Sequence, residues 1–199
     1  LCRLWRRECL KNGLARAEFQ PRNFKETPEM PAQVALLMGS KNDLPKLQPV
    51  QETLARFGVE LTTRVMSAHR TPEAVAQFAG EAAANGYKVI LAAAGGAAHL
   101  AGAVAAHTTL PVIGIPVEGG ALNGLDALLS TVQMPGGIAV AAVGIGSGGA
   151  MNAALLAVQI LALQDAELAR RLREFRAEQR EQVAKADAEV AALEEFRKR

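Results

Sequence analysis

The chain has 199 residues, of which 50% are hydrophobic, 21% charged and 4% aromatic, with a formal net charge of +2. That length suits one domain with a sizeable core and an appended element. No apolar run reaches the roughly 18–20 residues of a membrane span, and so small a charge argues against a binder held to nucleic acid by electrostatics.

The charge is uneven along the chain. Residues 1–29 hold seven Lys/Arg and four Glu, whereas 30–199 hold fifteen Lys/Arg and sixteen acidic residues. Both cysteines, Cys2 and Cys9, also lie in the leading segment, so the body has no disulfide or thiolate chemistry. The leading segment lacks the apolar stretch of a signal peptide and carries many Glu for a transit peptide. Its composition, with Pro21 and Pro28 as breaks, predicts a disordered, dispensable extension.

The body begins near Met30-Pro31 and alternates strand and helix signals. Val34–Met38 is a continuous apolar run ending in Gly39-Ser40, as a strand buried on both faces would be. Leu44–Phe57 has helical spacing and stops at Gly58. Val59–Val65 reads as the second strand. Thr71 as N-cap and Pro72 at the first position start a helix that ends at Asn85-Gly86. Lys88–Ala93 is the third strand, followed by an Ala-rich helix over Ala97–His107; Leu110–Ile115 and Ile138–Val143 are the fourth and fifth strands. Between those two lie the glycine-containing loop Val117–Gly124 and a short helix from Leu125. An apolar helix spans Ala150–Leu163, and a charged final helix starts at Asp165 with Leu168, Leu172, Phe175 and Val183 on one face. From Val89 to Gln164 there is no Lys or Arg, and the acids are Glu118 and Asp126 alone, so this stretch is expected to be interior or interface.

Strands separated by helices imply a parallel sheet covered on both faces. The predicted architecture is an α/β three-layer sandwich, flavodoxin-like or Rossmann-like, over residues 30–164, with residues 165–199 as a C-terminal helix. Ligands of such sheets bind outside the carboxyl ends of the strands. Those ends hold Gly39–Asp43, Ser67–Arg70, Ala94–Gly96, Pro116–Gly124 and Gly144–Gly149, where glycines and isolated polar residues gather.

At Gly39-Ser40-Lys41-Asn42-Asp43 a glycine followed by a helix N-terminus can receive a phosphate, with Ser40 and Asn42 as side-chain partners. Asp43 would repel that anion, so it either accepts a ribose hydroxyl or caps the helix. Neither a nucleoside triphosphate nor a dinucleotide fingerprint is present at this turn. In Ser67-Ala68-His69-Arg70-Thr71-Pro72, imidazole can move a proton beside a guanidinium that binds an anion. Gly95-Gly96 allow close backbone approach, and His99 in the next helical turn could bind substrate, position His69, or pack structurally. His107 at a helix end is assigned no chemistry. Three histidines, no body cysteine and no paired acidic spacing give no metal ligand set. An acid–base site beside a phosphate pocket remains, with no redox or metal cofactor indicated.

These motifs, with Ala121-Leu122-Asn123-Gly124-Leu125-Asp126 and Val132-Gln133-Met134-Pro135-Gly136-Gly137, stand in an order and spacing that resemble one family from Val34 into the C-terminal helix. It is the N5-carboxyaminoimidazole ribonucleotide mutase family of purine biosynthesis, the catalytic-subunit form of phosphoribosylaminoimidazole carboxylase. The resemblance implies a cofactor-free transfer of a carboxylate from the exocyclic nitrogen of a ribonucleotide to ring carbon C4. It implies His69 as general acid/base and Ser40, Asp43 and Arg70 as substrate-binding, with Asn42 and Ser67 assigned beside them. His99, Gly95 and Gly96 would line the pocket that retains carbon dioxide between the two steps.

Four places depart from the family's usual pattern. Asn42 replaces a serine, Ala101 a proline, Glu118-Gly119 a Gln-Ser pair and Ser147-Gly148 a Lys-Ala pair. Two other readings stand beside the mutase: a sister carboxylase that takes aminoimidazole ribonucleotide with free carbon dioxide, and a non-catalytic nucleotide-binding domain. The resemblance further implies a cytoplasmic homo-octamer, with no nucleic-acid or membrane partner. The apolar excess of Val89–Gln164 and the apolar face of the last helix predict that Ala150–Leu163 and the C-terminal helix meet neighbouring subunits.

Overall fold

The structure, a computed structural model, describes residues 32–197, with side chains as far as Leu193. The expected extension over residues 1–29 lies outside the described residues. Five parallel strands form one sheet: β1 Val34–Met38, β2 Leu61–Val65, β3 Val89–Ala94, β4 Val112–Pro116 and β5 Ala141–Ala142, in the order β2-β1-β3-β4-β5. Val34 stands opposite Leu61 on one side and Val89 on the other.

The apolar runs of β1 and β3 are explained by two cores, one on each face. Strand periodicity sends Val34, Leu36 and Met38 into one and Ala35 and Leu37 into the other. The first core is closed by α1 (Gln48–Arg56), α5 (Gly146–Leu161) and the start of α6 (Ala166–Arg197); the second by α2 (Pro72–Glu81) and α3 (Leu100–Ala105). A further helix, α4 (Leu125–Val132), sits between β4 and β5.

Several element boundaries differ from the sequence reading. The helix expected over Leu44–Phe57 is a 3-10 helix, Lys41–Leu47, continued by α1. Pro45 lies inside the first piece, where its missing N–H interrupts α-helical bonding, and Pro49 occupies the first turn of α1. The helix after β3 is cut back to Leu100–Ala105, α2 ends at Glu81, and the fifth strand shrinks to two residues. Conversely, α5 begins at Gly146 rather than Ala150, so the run Gly146–Gly149 is the first helical turn rather than a loop. Its glycines serve a close approach: a Cβ at Gly149 would lie 1.6 Å from the Gly144 carbonyl oxygen.

The final helix also has an intramolecular partner that its sequence did not disclose. Leu168 and Phe175 are buried and Leu172 partly so, with Phe175 edge-on to Phe57 at 5.6 Å between centroids. Arg171 Nη1 donates to the Phe57 carbonyl at 2.9 Å, closing the end of α1. Most of α5 is buried against its own sheet, so its apolar character is largely satisfied within the chain.

Candidate active site

A cavity of about 560 Å³ opens at the carboxyl ends of β1 to β4. Within the range of small-molecule sites, it is lined by Gly39, Ser40 and Asp43 after β1, Ser67–Arg70 after β2, Ala94–Ala97 after β3 and Val117–Gly120 after β4. Parallel strands in register bring these four loops to one edge, as the topology requires.

The β1 loop is ordered by Ser40, whose Oγ accepts from the Asn42 backbone N–H at 3.2 Å. Ser40, not Asp43, is therefore the cap of the 3-10 helix. Freed from capping, Asp43 lines the cavity. Burial pushes its carboxyl above the ordinary aspartate range, while the Lys46 ammonium and the Ser40 backbone act in the opposite direction.

The β2 loop braces itself. Thr71 Oγ1 accepts from the Ser67 backbone N–H at 2.9 Å and donates to the Ser67 carbonyl, instead of capping α2. Ser67 Oγ accepts from the Arg70 backbone N–H at 3.3 Å and from Arg70 Nε at 3.4 Å. Arg70 Nη2 reaches across to donate to the Gly39 carbonyl at 2.7 Å. The guanidinium is thus fixed between two strand ends, facing the cavity.

His69 and His99 meet. Nε2 of His69 lies 2.8 Å from Nδ1 of His99, and the rings stand edge to face at 85°. At that separation one nitrogen holds the proton and the other accepts it. His69 lines the cavity and His99 stands behind it, reaching the site through His69. The two glycines that precede His99 are required by the backbone: Gly96 has φ +61°, and a Cβ on Gly95 would lie 3.2 Å from the Val117 carbonyl oxygen.

Of the residues singled out from sequence, Ser40, Asp43, Ser67, His69, Arg70, Gly95 and Gly96 line one cavity. Asn42 contributes its backbone N–H to the Ser40 cap and does not line the cavity; His99 acts one ring removed. His107 ends the turn after α3, its N–H donating to the Val104 carbonyl, away from the site. The sequence reading did not single out Lys46, nor Glu118 and Asp126 individually, as site residues. Yet both carboxylates of the otherwise uncharged stretch Val89–Gln164 line this cavity. The segment after the fifth strand, Ile145–Gly148, lines a neighbouring cavity of about 370 Å³ with Lys46 and Glu118, so the departing residues Glu118, Ser147 and Gly148 share its lining, while Gly119 lines the first cavity. Among the described residues, no group of three or more His, Cys, Asp and Glu is placed to hold a metal ion, and no helix is long and apolar enough to cross a membrane.

Residues 33–182 match the family model described as AIR carboxylase. The chain belongs to the AIR carboxylase family. It is 54% identical over 150 residues to the N5-carboxyaminoimidazole ribonucleotide mutase of Vibrio vulnificus, covering 75% of this chain and 93% of the relative. The Escherichia coli K12 mutase is 52% identical over 153 residues, with 77% and 90% covered. That of Saccharolobus solfataricus is 53% identical over 150 residues, with 75% and 94% covered. The solved structure of PurE from Treponema denticola superposes with a TM-score of 0.72 at 30% identity, covering 78% of this chain and 96% of that one. The family match includes every strand, all four loops of the cavity and the docked part of α6. The mutase resemblance read from the motifs is therefore shown for the body of the chain.

Proposed function

We propose that this chain is an N5-carboxyaminoimidazole ribonucleotide mutase of purine biosynthesis, acting without a cofactor in the cytoplasm. The observation that carries the reading is the His69–His99 pair at the wall of a cavity that also presents Arg70 and Asp43. Relatives bearing that name at 51–54% identity support it.

Each group has one task in the reaction. Arg70 takes the anionic phosphate or carboxylate of the ribonucleotide, held ready by Ser67 and Gly39. Ser40 donates a hydrogen bond to the phosphate through its hydroxyl, and the Asp43 carboxylate accepts one from a ribose hydroxyl. Protonated His69 gives its proton to the exocyclic nitrogen as the bond from that nitrogen to the carboxylate carbon breaks, releasing carbon dioxide. The electron-rich C4 of the ring then attacks carbon dioxide, and His69 recovers a proton from C4, which returns the site to its starting state. His99 fixes the ring of His69 throughout. The Gly95-Gly96 turn and the Val117–Gly120 loop bound the space in which carbon dioxide waits.

Assembly of several copies belongs to the same reading. Leu122, Leu125, Leu129 and Val132 form one face of α4 and its approach, each at least 48% exposed. An apolar stripe of that kind, beside the site, suits burial against another copy of the chain. The octamer implied by the resemblance is one such arrangement.

The test follows the carboxylate. With carbon label in the substrate carboxylate and unlabelled bicarbonate in the medium, product should keep its label, and uncarboxylated ribonucleotide should turn over only at much higher bicarbonate. Full dilution of the label, or preference for the uncarboxylated ribonucleotide at low bicarbonate, identifies the sister carboxylase instead.

A further inference from the structure

The β4–α4 loop forms one side of the cavity, yet much of its bonding is to itself. Asn123 N–H donates to the Gly120 carbonyl and Leu125 N–H to the Leu122 carbonyl. Its base is anchored where Val117 N–H donates to the Ala94 carbonyl at 2.9 Å, and where Gly124 presses on Glu118 so closely that a Cβ would lie 2.9 Å from Glu118 Cα. Glu118, Gly119 and Gly120 are exposed, and no heavy atom lies within 4 Å of where a Cβ on Gly119 or Gly120 would stand. Two consecutive glycines with open space beside them give this wall little stiffness of its own.

One side chain crosses to it from the opposite lip. Lys46, on the 3-10 helix, donates through Nζ to the Glu118 carbonyl at 2.6 Å, joining residues 72 apart in sequence. Lys46 and Glu118 both line the main cavity and its neighbour, so this bond forms part of the partition between the two. The same ammonium interacts with Asp43 on the cavity side.

We propose that Lys46 is a positioning residue that straps the Glu118–Gly120 loop across the cavity and closes the route between the two cavities, so that released carbon dioxide is captured by C4 rather than lost. This inference rests on the mutase reading above. Lys46 touches no reacting atom; its effect is on how long the wall stays shut. Being exposed, it is replaceable without opening the core.

The experiment compares the wild type with Lys46→Met and Lys46→Arg in two measurements. The first is hydrogen–deuterium exchange of the backbone over residues 118–123. The second is label retention from carboxylate-labelled substrate in unlabelled bicarbonate. Loss of one charge-assisted hydrogen bond should speed loop exchange and raise label dilution by about tenfold in Lys46→Met, and Lys46→Arg, which keeps a donor, should stay near wild type. If the wild type retains label and Lys46→Met matches it in both measurements, the strap is wrong while the mutase reading survives. If the wild type itself dilutes its label, the mutase reading fails; the strap is then decided by deuterium exchange alone, with an unchanged rate in Lys46→Met overturning it.

Discussion

Replacing His99 by Phe removes the ring nitrogen that faces His69 while keeping an aromatic ring to meet its edge. The two nitrogens are 2.8 Å apart and the ring centroids 4.9 Å, so the variant deletes a hydrogen bond without emptying the space. Both histidines are exposed, and solvent holds such a bond near the ordinary net worth of about 0.5–1.5 kcal/mol. If that energy serves only to hold His69 in its working orientation, kcat should fall by about two- to thirteenfold. His69→Asn, which removes the proton carrier, should cost about 10²–10⁴-fold. The decisive measurement is the double variant. When His99 works only through His69, His69→Asn/His99→Phe is no slower than His69→Asn alone. Steady-state kinetics on all four proteins complete the cycle. Equal rates for His99→Phe and wild type, or a further multiplicative loss in the double variant, would refute the positioning role.

Other expectations can be checked beside it. Arg70→Ala should raise KM or Kd for the ribonucleotide far more than it lowers kcat, because its guanidinium is set to hold an anion; unchanged affinity in calorimetry removes it from the binding set. Asp43 binds as a carboxylate and its pKa is raised, so substrate affinity should weaken as pH falls through a value above the ordinary aspartate range, and Asp43→Asn should flatten that limb. The same shift has the opposite sign for folding. Its stabilising contribution is complete below the unfolded aspartate pKa and is lost as pH rises through the folded one, so ligand-free Asp43→Asn should melt above wild type at neutral pH, with the difference disappearing in acid. Light scattering at micromolar concentration should give a multiple of the 21.0 kDa chain mass, and Leu129→Glu should lower it; a monomeric wild type contradicts the assembly.

Much of the site was legible because parallel α/β sheets confine ligands to one edge, and polar residues in apolar surroundings stand out there. Ser40, Ser67, His69 and Arg70 were visible on that ground. What stayed hidden depended on three-dimensional proximity. Lys46 looks like an ordinary surface lysine on a helix until the β4–α4 loop is folded against it. Glu118 and Asp126 carried a usable signal, as the sole charges of a long apolar stretch, since carboxylates left in such surroundings are expensive unless they do something there. The Gly146–Gly149 run misled for a physical reason: glycine lowers helix propensity, yet here the contact with Gly144 demands it. Likewise the apolar face of α6 found its partner in Phe57 at the end of α1, a long-range contact that periodicity cannot specify.

The last helix changes character along its length. Beyond its contacts at Leu168, Leu172 and Phe175, every residue from Glu181 to Leu193 is exposed, and this stretch lies almost wholly past the family match, which ends at residue 182. At about 1.5 Å per residue, those thirteen positions make a rod of roughly 20 Å beyond the docked turns. Such an appendage contributes little mass but much friction, so each copy should add more rotational drag to the assembly than its mass of 21.0 kDa alone would set. The docked turns of α6 also give the rod a stiff root in the first core. A fluorophore or spin label on the exposed turns would therefore report the reorientation of the whole body rather than local wobble.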